Sequence, residues 1–321
     1  MKTKVFIDGK AGTTGLRIYE RLSVRDDVEI LQLSDELRKD TACRKEALNS
    51  AGVAFLCLPD SAAIEAVSLV ENPDTVVIDA STAHRTADGW AYGFPELGEK
   101  FADKVAKGKR IAVPGCHASG FIALVQPLVE QGVIAPSAKL VCHSLTGYSG
   151  GGKQMIAQYQ AEGESLHAPR QYGLSQTHKH LKEMTAICGL DTPPAFCPVV
   201  CDFYSGMEVS VALFADDLQK GAKAGDIKDL YRNMYDGEIV FYRENCDENG
   251  FLSAGRYSGN DCMEISVHGS ADRILLAARY DNLGKGASGA AVECMNIVLG
   301  KPASYGLELS PNRDVKTIRN N

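Results

Sequence analysis

Short apolar runs alternate with helical patterns over the first third of the chain. The runs lie at 5–7, 28–33, 53–58, 75–79 and 111–113, and helical patterns end near residue 25 and span 60–70. Strands that are apolar throughout and separated by helices are typical of a parallel sheet covered on both faces. This part of the chain is therefore predicted to be α/β, with a parallel sheet between helices.

The pattern changes after about residue 135. Strand-like segments lie at 139–144, 196–203, 208–214, 238–242, 263–268 and 274–280, and a hairpin connection at 269–272 joins the last two. Helical patterns lie at 153–162, 177–187, 227–235 and 286–299. Strands joined by hairpins favour a mixed, largely antiparallel sheet. Since 321 residues are also too many for one ordinary core, we predict a second domain of the α+β class.

Composition narrows the class of protein. A formal net charge of −7 argues against general binding to nucleic acid or to an anionic membrane. The ten cysteines are scattered, several of them inside apolar runs, as in a reduced cytoplasmic protein. Cys197 and Cys201 have no second Cys or His pair at zinc-site spacing, so no metal is expected. The chain enters a strand at once and has no apolar run of membrane-spanning length, so we expect a cytoplasmic protein.

Three glycines connect the first strand to the first helix: Gly9, Gly12 and, after Thr13 and Thr14, Gly15. Glycines allow a tight turn and a close approach of the backbone to a pyrophosphate, which the helix N-terminus attracts. The spacing departs from the usual G-x-G-x-x-G, and a purely structural turn is the alternative. The position of the motif after the first strand of a parallel sheet favours a dinucleotide site.

The end of the second strand indicates which dinucleotide binds. NAD-binding proteins place an acid there for the ribose 2′-hydroxyl. This chain has Ser34, followed by the cations Arg38 and Lys39. A hydroxyl and two cations suit a 2′-phosphate, so NADP is favoured. Asp35 and Glu36 leave open the alternative that Arg38 and Lys39 are ordinary solvated charges.

Cys116 follows the fifth apolar run and a Pro-Gly turn, and it opens a segment with helical spacing. A thiol at a helix N-terminus lies beside unsatisfied N–H groups and the positive end of the helix dipole. We expect this position to lower the pKa of Cys116 and to give a usable thiolate near neutral pH. The alternative is a buried, inert cysteine.

Two histidines, His178 and His180, lie at the start of a predicted helix with Thr177 as its N-cap. A histidine is the natural partner of a catalytic thiol, as base and later as acid. Because the two are only two residues apart, they point to different sides, and one of them is expected to reach the thiol. Arg85, on the loop after the fourth strand, is a candidate phosphate clamp, although a solvated arginine is the alternative.

The motifs together resemble one family. They are the glycine turn, Asp-Ala-Ser-Thr-Ala-His-Arg at 79–85, Pro-Gly-Cys at 114–116, Gly-Tyr-Ser-Gly-Gly-Gly-Lys at 147–153, His-x-His at 178–180 and Asp-Asn-Leu-x-Lys-Gly-Ala at 281–287. In this order, across nearly the whole chain, they resemble the N-acetyl-gamma-glutamyl-phosphate reductases, particularly their short second type. More distantly, the chain is similar to the aspartate-semialdehyde dehydrogenases.

The resemblance implies an NADP-dependent step of arginine biosynthesis, in which an acyl phosphate is reduced to its semialdehyde and phosphate is released. It implies a small-molecule substrate and a homo-oligomer, a dimer or a tetramer. Cys116 would be the nucleophile and His180 the acid/base. The remaining implied roles are contacts to the substrate and its phosphate for Arg85, Ser149, Gly150 and Lys153, and a place near the nicotinamide for Asn282.

This chain departs from the longer family type in two places. That type usually continues Cys-Tyr-Pro-Thr and ends its glycine-rich loop in arginine, whereas this chain has Cys-His-Ala-Ser and Lys153. Lysine keeps the charge but loses the fork geometry of arginine. The alternatives at this stage are the same chemistry on an aspartyl or aminoadipyl phosphate, a general phosphorylating aldehyde dehydrogenase, and a nucleotide-sensing protein without activity.

The predicted fold class is α/β, a Rossmann-like parallel-sheet NADP domain joined to an α+β catalytic and dimerisation domain with a mixed sheet. We place a dinucleotide-binding domain at 1–116 and a catalytic and oligomerisation domain at 117–283. A C-terminal helix at 284–321 is predicted to return to the first domain.

Overall fold

The computed structural model describes residues 2–309 and contains two sheets. The first sheet has six strands: β1 (Thr3–Asp8), β2 (Val28–Leu31), β3 (Val53–Leu56), β4 (Val76–Asp79), β5 (Ala91–Tyr92) and β6 (Arg110–Ala112). They lie in the order β2-β1-β3-β4-β6-β5, and every pair is parallel. The helices between them are α1 (Thr13–Ser23), α2 (Thr41–Ser50), α3 (Asp60–Ser68) and α4 (Glu99–Lys107). The predicted parallel sheet is confirmed.

The second sheet has seven strands: β7 (Val141–Gly147), β8 (Arg170–Gln171), β9 (Ala195–Cys201), β10 (Met207–Phe214), β11 (Val240–Tyr242), β12 (Met263–Gly269) and β13 (Arg273–Tyr280). Their order is β11-β12-β13-β10-β7-β9-β8, with two parallel and four antiparallel pairs. The helices α5 (Cys116–Glu130), α6 (Gly152–Glu162), α7 (His180–Cys188) and α8 (Ala224–Met234) belong to the same half of the chain. The predicted mixed sheet and its β12–β13 hairpin are confirmed.

The two faces of the second sheet differ. Val209 and Val211 of β10 point to the inner face and are buried in a core shared with Phe121 and Leu124 of α5. The opposite face carries side chains at the alternate positions of the same strands. Among these, Val141 and Leu275 are 40% and 37% exposed, while Glu208 is buried. This second group forms the outer face of the sheet.

The chain returns to the first sheet after β13. A π-helical turn (Gly284–Ser288) leads into α9 (Gly289–Val298). Ala291 and Val292 of α9 are fully buried in one core with Val5 and Ile78 of the first sheet. The predicted helix at 286–299 therefore begins later, at Gly289. Residues 310–321 of the predicted C-terminal segment lie outside the described residues, and the domain boundaries stay a prediction.

Two helices of the first half, α2 and α4, were not predicted individually. Helix α2 buries Ala47, Leu48 and the charged Arg44, whose guanidinium is 2.9 Å from the carboxylate of Asp8. Because the buried face of α2 includes a charged residue, the sequence shows no continuous apolar stripe that would indicate a helix. Helix α4 buries only Phe101 and Val105. Across residues 2–309, no helix combines the length and hydrophobicity that a membrane span requires.

Candidate active site

A cleft of 340 Å³ lies between the two halves of the molecule, and both contribute to its wall. Of the residues predicted to be functional, it brings together Thr13, Thr14, Arg85, Cys116, Gly150, His180 and Asn282. His178 lines the same cleft. Within residues 2–309, no group of three or more His, Cys, Asp and Glu side chains is arranged to hold a metal ion.

Cys116 is the first residue of α5 and is only partly exposed. Its carbonyl oxygen accepts a hydrogen bond of 2.5 Å from the hydroxyl of Tyr280. The preceding Gly115 is required by space, since a Cβ there would lie 2.3 Å from Nη1 of Arg85 and 2.4 Å from Nε2 of His180. On the other side, a Cβ on Gly286 of the π-helical turn would lie 3.1 Å from Cβ of Cys116. Cys116 is therefore held in place by close packing of the backbone around it.

The pKa of Cys116 moves opposite to the prediction. Burial raises the pKa of this thiol by more than the charge of Arg85 and the N–H of His117 lower it. The favourable helix position is present, but the loss of hydration of the thiolate outweighs it. In the resting protein the sulfur is therefore a thiol that needs a base.

His180 is the candidate base in the same cleft. It is the first residue of α7, only 5% exposed, and its Nδ1 has no partner among the described residues. Burial, together with the charge of Arg85 and the neighbouring histidines, lowers the pKa of His180 well below its usual range. A neutral imidazole beside a protonated thiol can accept its proton.

The start of α7 differs from the prediction. The predicted N-cap Thr177 lies outside the helix, where its hydroxyl pairs with that of Ser175 at 2.7 Å. Instead, Nδ1 of His178 accepts a hydrogen bond of 3.2 Å from the backbone N–H of His180. The side chain of His178 therefore takes the place of the threonine and fixes the backbone of the candidate base.

His117 forms a buried bridge that the sequence analysis missed. Its two ring nitrogens lie 2.6 Å from the hydroxyl of Ser144 and 2.6 Å from that of Tyr172. Burial lowers the pKa of His117 to about 3, so the ring is neutral. Its centroid is 5.7 Å from that of His180. The bridge thus supports one side of the candidate base.

Glu183 is a second missed residue, one turn after His180 on α7. Its carboxylate accepts hydrogen bonds from Nη1 of Arg85 at 3.0 Å, from the hydroxyl of Tyr92 at 2.7 Å and from the backbone N–H of Gly115 at 2.8 Å. It therefore connects α7 to the turn that carries the nucleophile. An acid on the otherwise apolar face of α7, three residues after the candidate base, was the available signal.

Arg85 is engaged by the protein itself. Besides Glu183, its guanidinium donates to the carbonyl oxygens of Val113 at 2.9 Å and Ala80 at 3.2 Å. The side chain is buried and connects the residues that follow β4 and β6 to α7. This arrangement makes Arg85 a structural bridge at the wall of the cleft.

The other predicted substrate and nicotinamide residues fall into two groups. Asn282 and Gly150 line the cleft, and Nδ2 of Asn282 donates to the hydroxyl of Ser149 at 3.0 Å. Ser149 itself is buried behind the wall. Lys153 is exposed on α6 and does not line the cleft.

A second cleft, of 570 Å³, opens beside the glycine turn. Gly9, Arg38 and Lys39 line it, together with Asp35, whose carboxylate is 3.5 Å from Nε of Arg38. Ser34 does not line the cleft, although its carbonyl oxygen accepts the N–H of Arg38 at 3.0 Å.

The glycine turn itself leaves no room for side chains. Gly9 has a φ of +87°, and a Cβ there would lie 2.2 Å from the carbonyl oxygen of Cys57. A Cβ on Gly15 would lie 2.6 Å from the carbonyl oxygen of Gly9. Gly12 precedes the first residue of α1, so the N-terminus of this helix is also at the turn. The turn and the cations beside it fit a dinucleotide phosphate.

Comparison with known proteins agrees with this geometry. Residues 4–105 match the model of the semialdehyde dehydrogenase NAD binding domain, and residues 116–282 match that of the semialdehyde dehydrogenase dimerisation domain. Among solved structures, aspartate semialdehyde dehydrogenase II of Vibrio cholerae superposes with a TM-score of 0.71 at 16% identity, over 94% of this chain and 99% of that one. The aspartate semialdehyde dehydrogenase of Candida albicans, solved with NADP, gives 0.64 at 14% identity, over 93% and 99% of the two chains.

Curated relatives are much more similar in sequence. N-acetyl-gamma-glutamyl-phosphate reductase 2 of Nostoc sp. strain PCC 7120 is 44% identical over 95% of this chain and 99% of its own length. The N-acetyl-gamma-glutamyl-phosphate reductase of Mesorhizobium japonicum is 44% identical over 94% of this chain and 100% of its own length. The chain therefore belongs to the N-acetyl-gamma-glutamyl-phosphate reductase family and has the semialdehyde dehydrogenase fold.

Proposed function

We propose that this protein reduces N-acetyl-gamma-glutamyl phosphate to N-acetylglutamate 5-semialdehyde with NADPH and releases phosphate, as a step of arginine biosynthesis. One observation carries the proposal: Cys116, at the N-terminus of α5, lines the same cleft as the buried, neutral His180. A thiol with a neighbouring base is what covalent catalysis on an acyl phosphate requires. The identity of 44% to reductases of this name supports the choice of substrate.

The residues present fit NADP. Gly9 lines the second cleft beside the N-terminus of α1, where a pyrophosphate can approach the backbone, and Arg38 and Lys39 supply positive charge for a 2′-phosphate. Thr13, Thr14 and Asn282 continue from that turn along the cleft that holds Cys116. When bound, NADPH supplies the two electrons of the reduction as hydride.

The protein's own groups carry the covalent step. Cys116 passes its proton to His180, and the thiolate attacks the acyl carbonyl, so that the carbon–sulfur bond forms and the bond to phosphate oxygen breaks. The backbone N–H groups of Cys116 and His117, at the start of α5, stabilise the negative charge on the carbonyl oxygen. This step yields a thioester on Cys116 and free phosphate. The departing phosphate takes a proton from water, and this is the proton that the overall reaction consumes.

Release of the aldehyde restores the enzyme. When the thioester has been reduced, the carbon–sulfur bond breaks and the sulfur leaves as a thiolate. The protonated His180 returns its proton to this thiolate, and both groups regain their neutral resting forms. A thioester is used because it accepts two electrons far more readily than a carboxylate does.

The reaction run in reverse tests the proposal. Purified protein is mixed with N-acetylglutamate 5-semialdehyde, phosphate and NADP, and the absorbance of NADPH is followed. We expect a phosphate-dependent rise that is absent with aspartate semialdehyde and abolished by Cys116→Ser, while NADP binding persists in the variant. A rise with aspartate semialdehyde alone would reassign the substrate, and no rise with either aldehyde from folded, NADP-binding protein would contradict the proposal.

We also propose that copies of the chain associate through the outer face of the second sheet, within the region that matches a dimerisation domain. The exposed Val141 and Leu275 lie on this face among polar side chains such as Glu208, and an open sheet face with exposed apolar residues is a surface that a second copy can cover. All ten cysteines are free, which supports a reducing, cytoplasmic location. We propose the division at 1–116, 117–283 and 284–321, and the presence of two separate sheets supports it.

A further inference from the structure

We propose that Lys179 binds the phosphate group of the acyl phosphate and holds it as it departs. The inference rests on the proposed function, and it moves the phosphate-binding role away from the two cations to which the family resemblance assigned it. Lys179 is the residue between His178 and His180, so the same short segment would supply the base and the cation.

The lining of the cleft shows which cations can reach the reacting groups. Among the described residues, the lysine and arginine side chains that line the cleft of Cys116 are Arg85 and Lys179. Lys153 lies elsewhere on α6. All three nitrogens of the Arg85 guanidinium already donate to protein oxygens, including the carboxylate of Glu183 at 3.0 Å. Much of the charge of Arg85 is therefore compensated before any substrate arrives.

Lys179, in contrast, is available. Its side chain is exposed at the cleft, and within residues 2–309 no carboxylate lies within ion-pair distance of its ammonium group. The charge of Lys179 helps to lower the pKa of Asp60, after the hydrogen bonds from Thr82. The Asp60 carboxylate, however, already accepts hydrogen bonds from the backbone N–H of Thr82, at 2.9 Å, and from the Thr82 hydroxyl. A cation without a partner at the wall of a cleft is suited to bind an anionic ligand.

The charge of Lys179 acts on both reacting groups. It lowers the pKa of Cys116, after the larger effects of burial and Arg85, and it contributes to lowering the pKa of His180 after burial and its other neighbours. It also lowers the pKa of His178, after burial. Lys179 also lines the same cleft as Cys116 and His180, which places it on the wall that faces a bound substrate.

The chemistry of the leaving group favours a lysine here. Negative charge accumulates on the phosphate as its bond to carbon breaks, so a cation at that position stabilises the transition state more than the ground state. An ammonium group carries three donors on a flexible stem and can follow the phosphate as it moves. Adjacent residues do not face each other, so His180 can contact the sulfur while Lys179 contacts the phosphate.

The test compares Lys179→Gln with Lys182→Gln in the reverse reaction. Lys182 lies on α7, three residues after Lys179, and is also exposed, but it does not line the cleft. We expect Lys179→Gln to raise the KM for inorganic phosphate by about 10- to 100-fold, the value of one hydrogen bond to a charged group, with the KM for aldehyde and NADP within about twofold of wild type. Lys182→Gln should behave as wild type, and Lys179→Arg should recover most of the affinity for phosphate.

A second readout does not depend on turnover. Cys116 is treated with iodoacetamide, and peptide mass spectrometry follows the rate of its alkylation with and without inorganic phosphate. We expect phosphate to protect Cys116 in the wild type and in Lys182→Gln but not in Lys179→Gln. If the wild type shows no phosphate-dependent formation of NADPH, the proposed function is wrong, and this readout still decides the role of Lys179. An active Lys179→Gln with unchanged phosphate KM and unchanged protection would overturn the inference alone.

Discussion

Burial sets the resting state of the two reacting residues. It raises the pKa of the Cys116 thiol and lowers that of the His180 imidazole, so both groups are neutral before substrate binds. A neutral thiol is less exposed to oxidants and alkylating agents than a thiolate. In the proposed mechanism the thiolate and the protonated imidazole form only inside the cleft, where the thiolate can attack the substrate carbonyl at once.

Replacing each histidine separates their roles. His180→Ala removes the base and should lower kcat by about 10²- to 10⁴-fold, the usual contribution of a general acid–base. His178→Ala removes a hydrogen bond of 3.2 Å that orients the backbone of His180, so its effect on kcat should be smaller. Steady-state rates of the reverse reaction measure both. A larger loss in His178→Ala than in His180→Ala would exchange the two assignments.

Sequence reasoning identified residues whose position along the chain is informative. Cys116 follows a strand and a Pro-Gly turn, and His180 stands at a helix start, so both could be located before the fold was known. Lys153 was predicted by motif alone, and its side chain lies away from the cleft because α6 presents it to solvent. His117 and Glu183 were missed because their roles come from contacts with residues distant in the chain.

At the scale of elements, α7 organises the site. Its first residue is His180, Lys179 precedes it, and Glu183 follows after one turn. Through Glu183 this helix is joined to the Gly115 N–H and to Arg85, which in turn is joined to the carbonyl of Val113 after β6. One carboxylate therefore links the turn before Cys116 to the helix that begins with His180.

Glu183→Gln tests this connection with little change in shape. The glutamine oxygen can still accept from Gly115 and Tyr92, but its NH₂ group would meet Nη1 of Arg85, a second donor. We expect kcat to fall by about 10- to 100-fold through misplacement of reacting groups, while NADP binding is retained. Glu130→Gln, which removes an ion pair of 2.8 Å to Lys100 on another helix, is the control. Equal rates for the two variants would show that Glu183 does not position the site.

Strands were easier to predict than helices in this protein. A buried strand that is apolar at every position, such as Val53–Leu56, stands out from the surrounding loops. Helix boundaries depend on single hydrogen bonds, so the histidine that replaces Thr177 at the start of α7 could not be foreseen. The π-helical turn before α9 was also missed. It occurs where Gly286 packs closely on Cys116, and such a contact between distant residues is not visible in residue propensities.

At the scale of the whole molecule, the site lies between two halves that are also joined elsewhere. Arg21 of α1 donates to the carboxylate of Asp261, in the second half, at 2.5 and 3.0 Å. Lys285, in the π-helical turn, is 2.6 Å from Glu96 and 2.5 Å from Glu293, all three being buried or nearly so. These contacts fix the glycine turn relative to the cleft of Cys116.

Association through the outer face of the second sheet predicts the effect of a charge placed there. Leu275→Asp puts a carboxylate on a face that a second copy would bury, which is costly without a partner. We expect a lower molar mass by sedimentation equilibrium, one chain where the wild type has two or four. Ile64→Asp, at a residue 56% exposed on α3, is the matched control and should leave the mass unchanged. A wild-type mass in Leu275→Asp would contradict the proposed face.

The central claim is that the acyl group passes through a thioester on Cys116. The most direct measurement mixes the protein with N-acetylglutamate 5-semialdehyde and NADP in the absence of phosphate and determines the mass of the protein and its peptides. We predict one N-acetylglutamyl group per chain, on the peptide that contains Cys116, with an equal amount of NADPH, and its loss when phosphate is added. Phosphate-dependent turnover without any adduct on Cys116 would contradict the account.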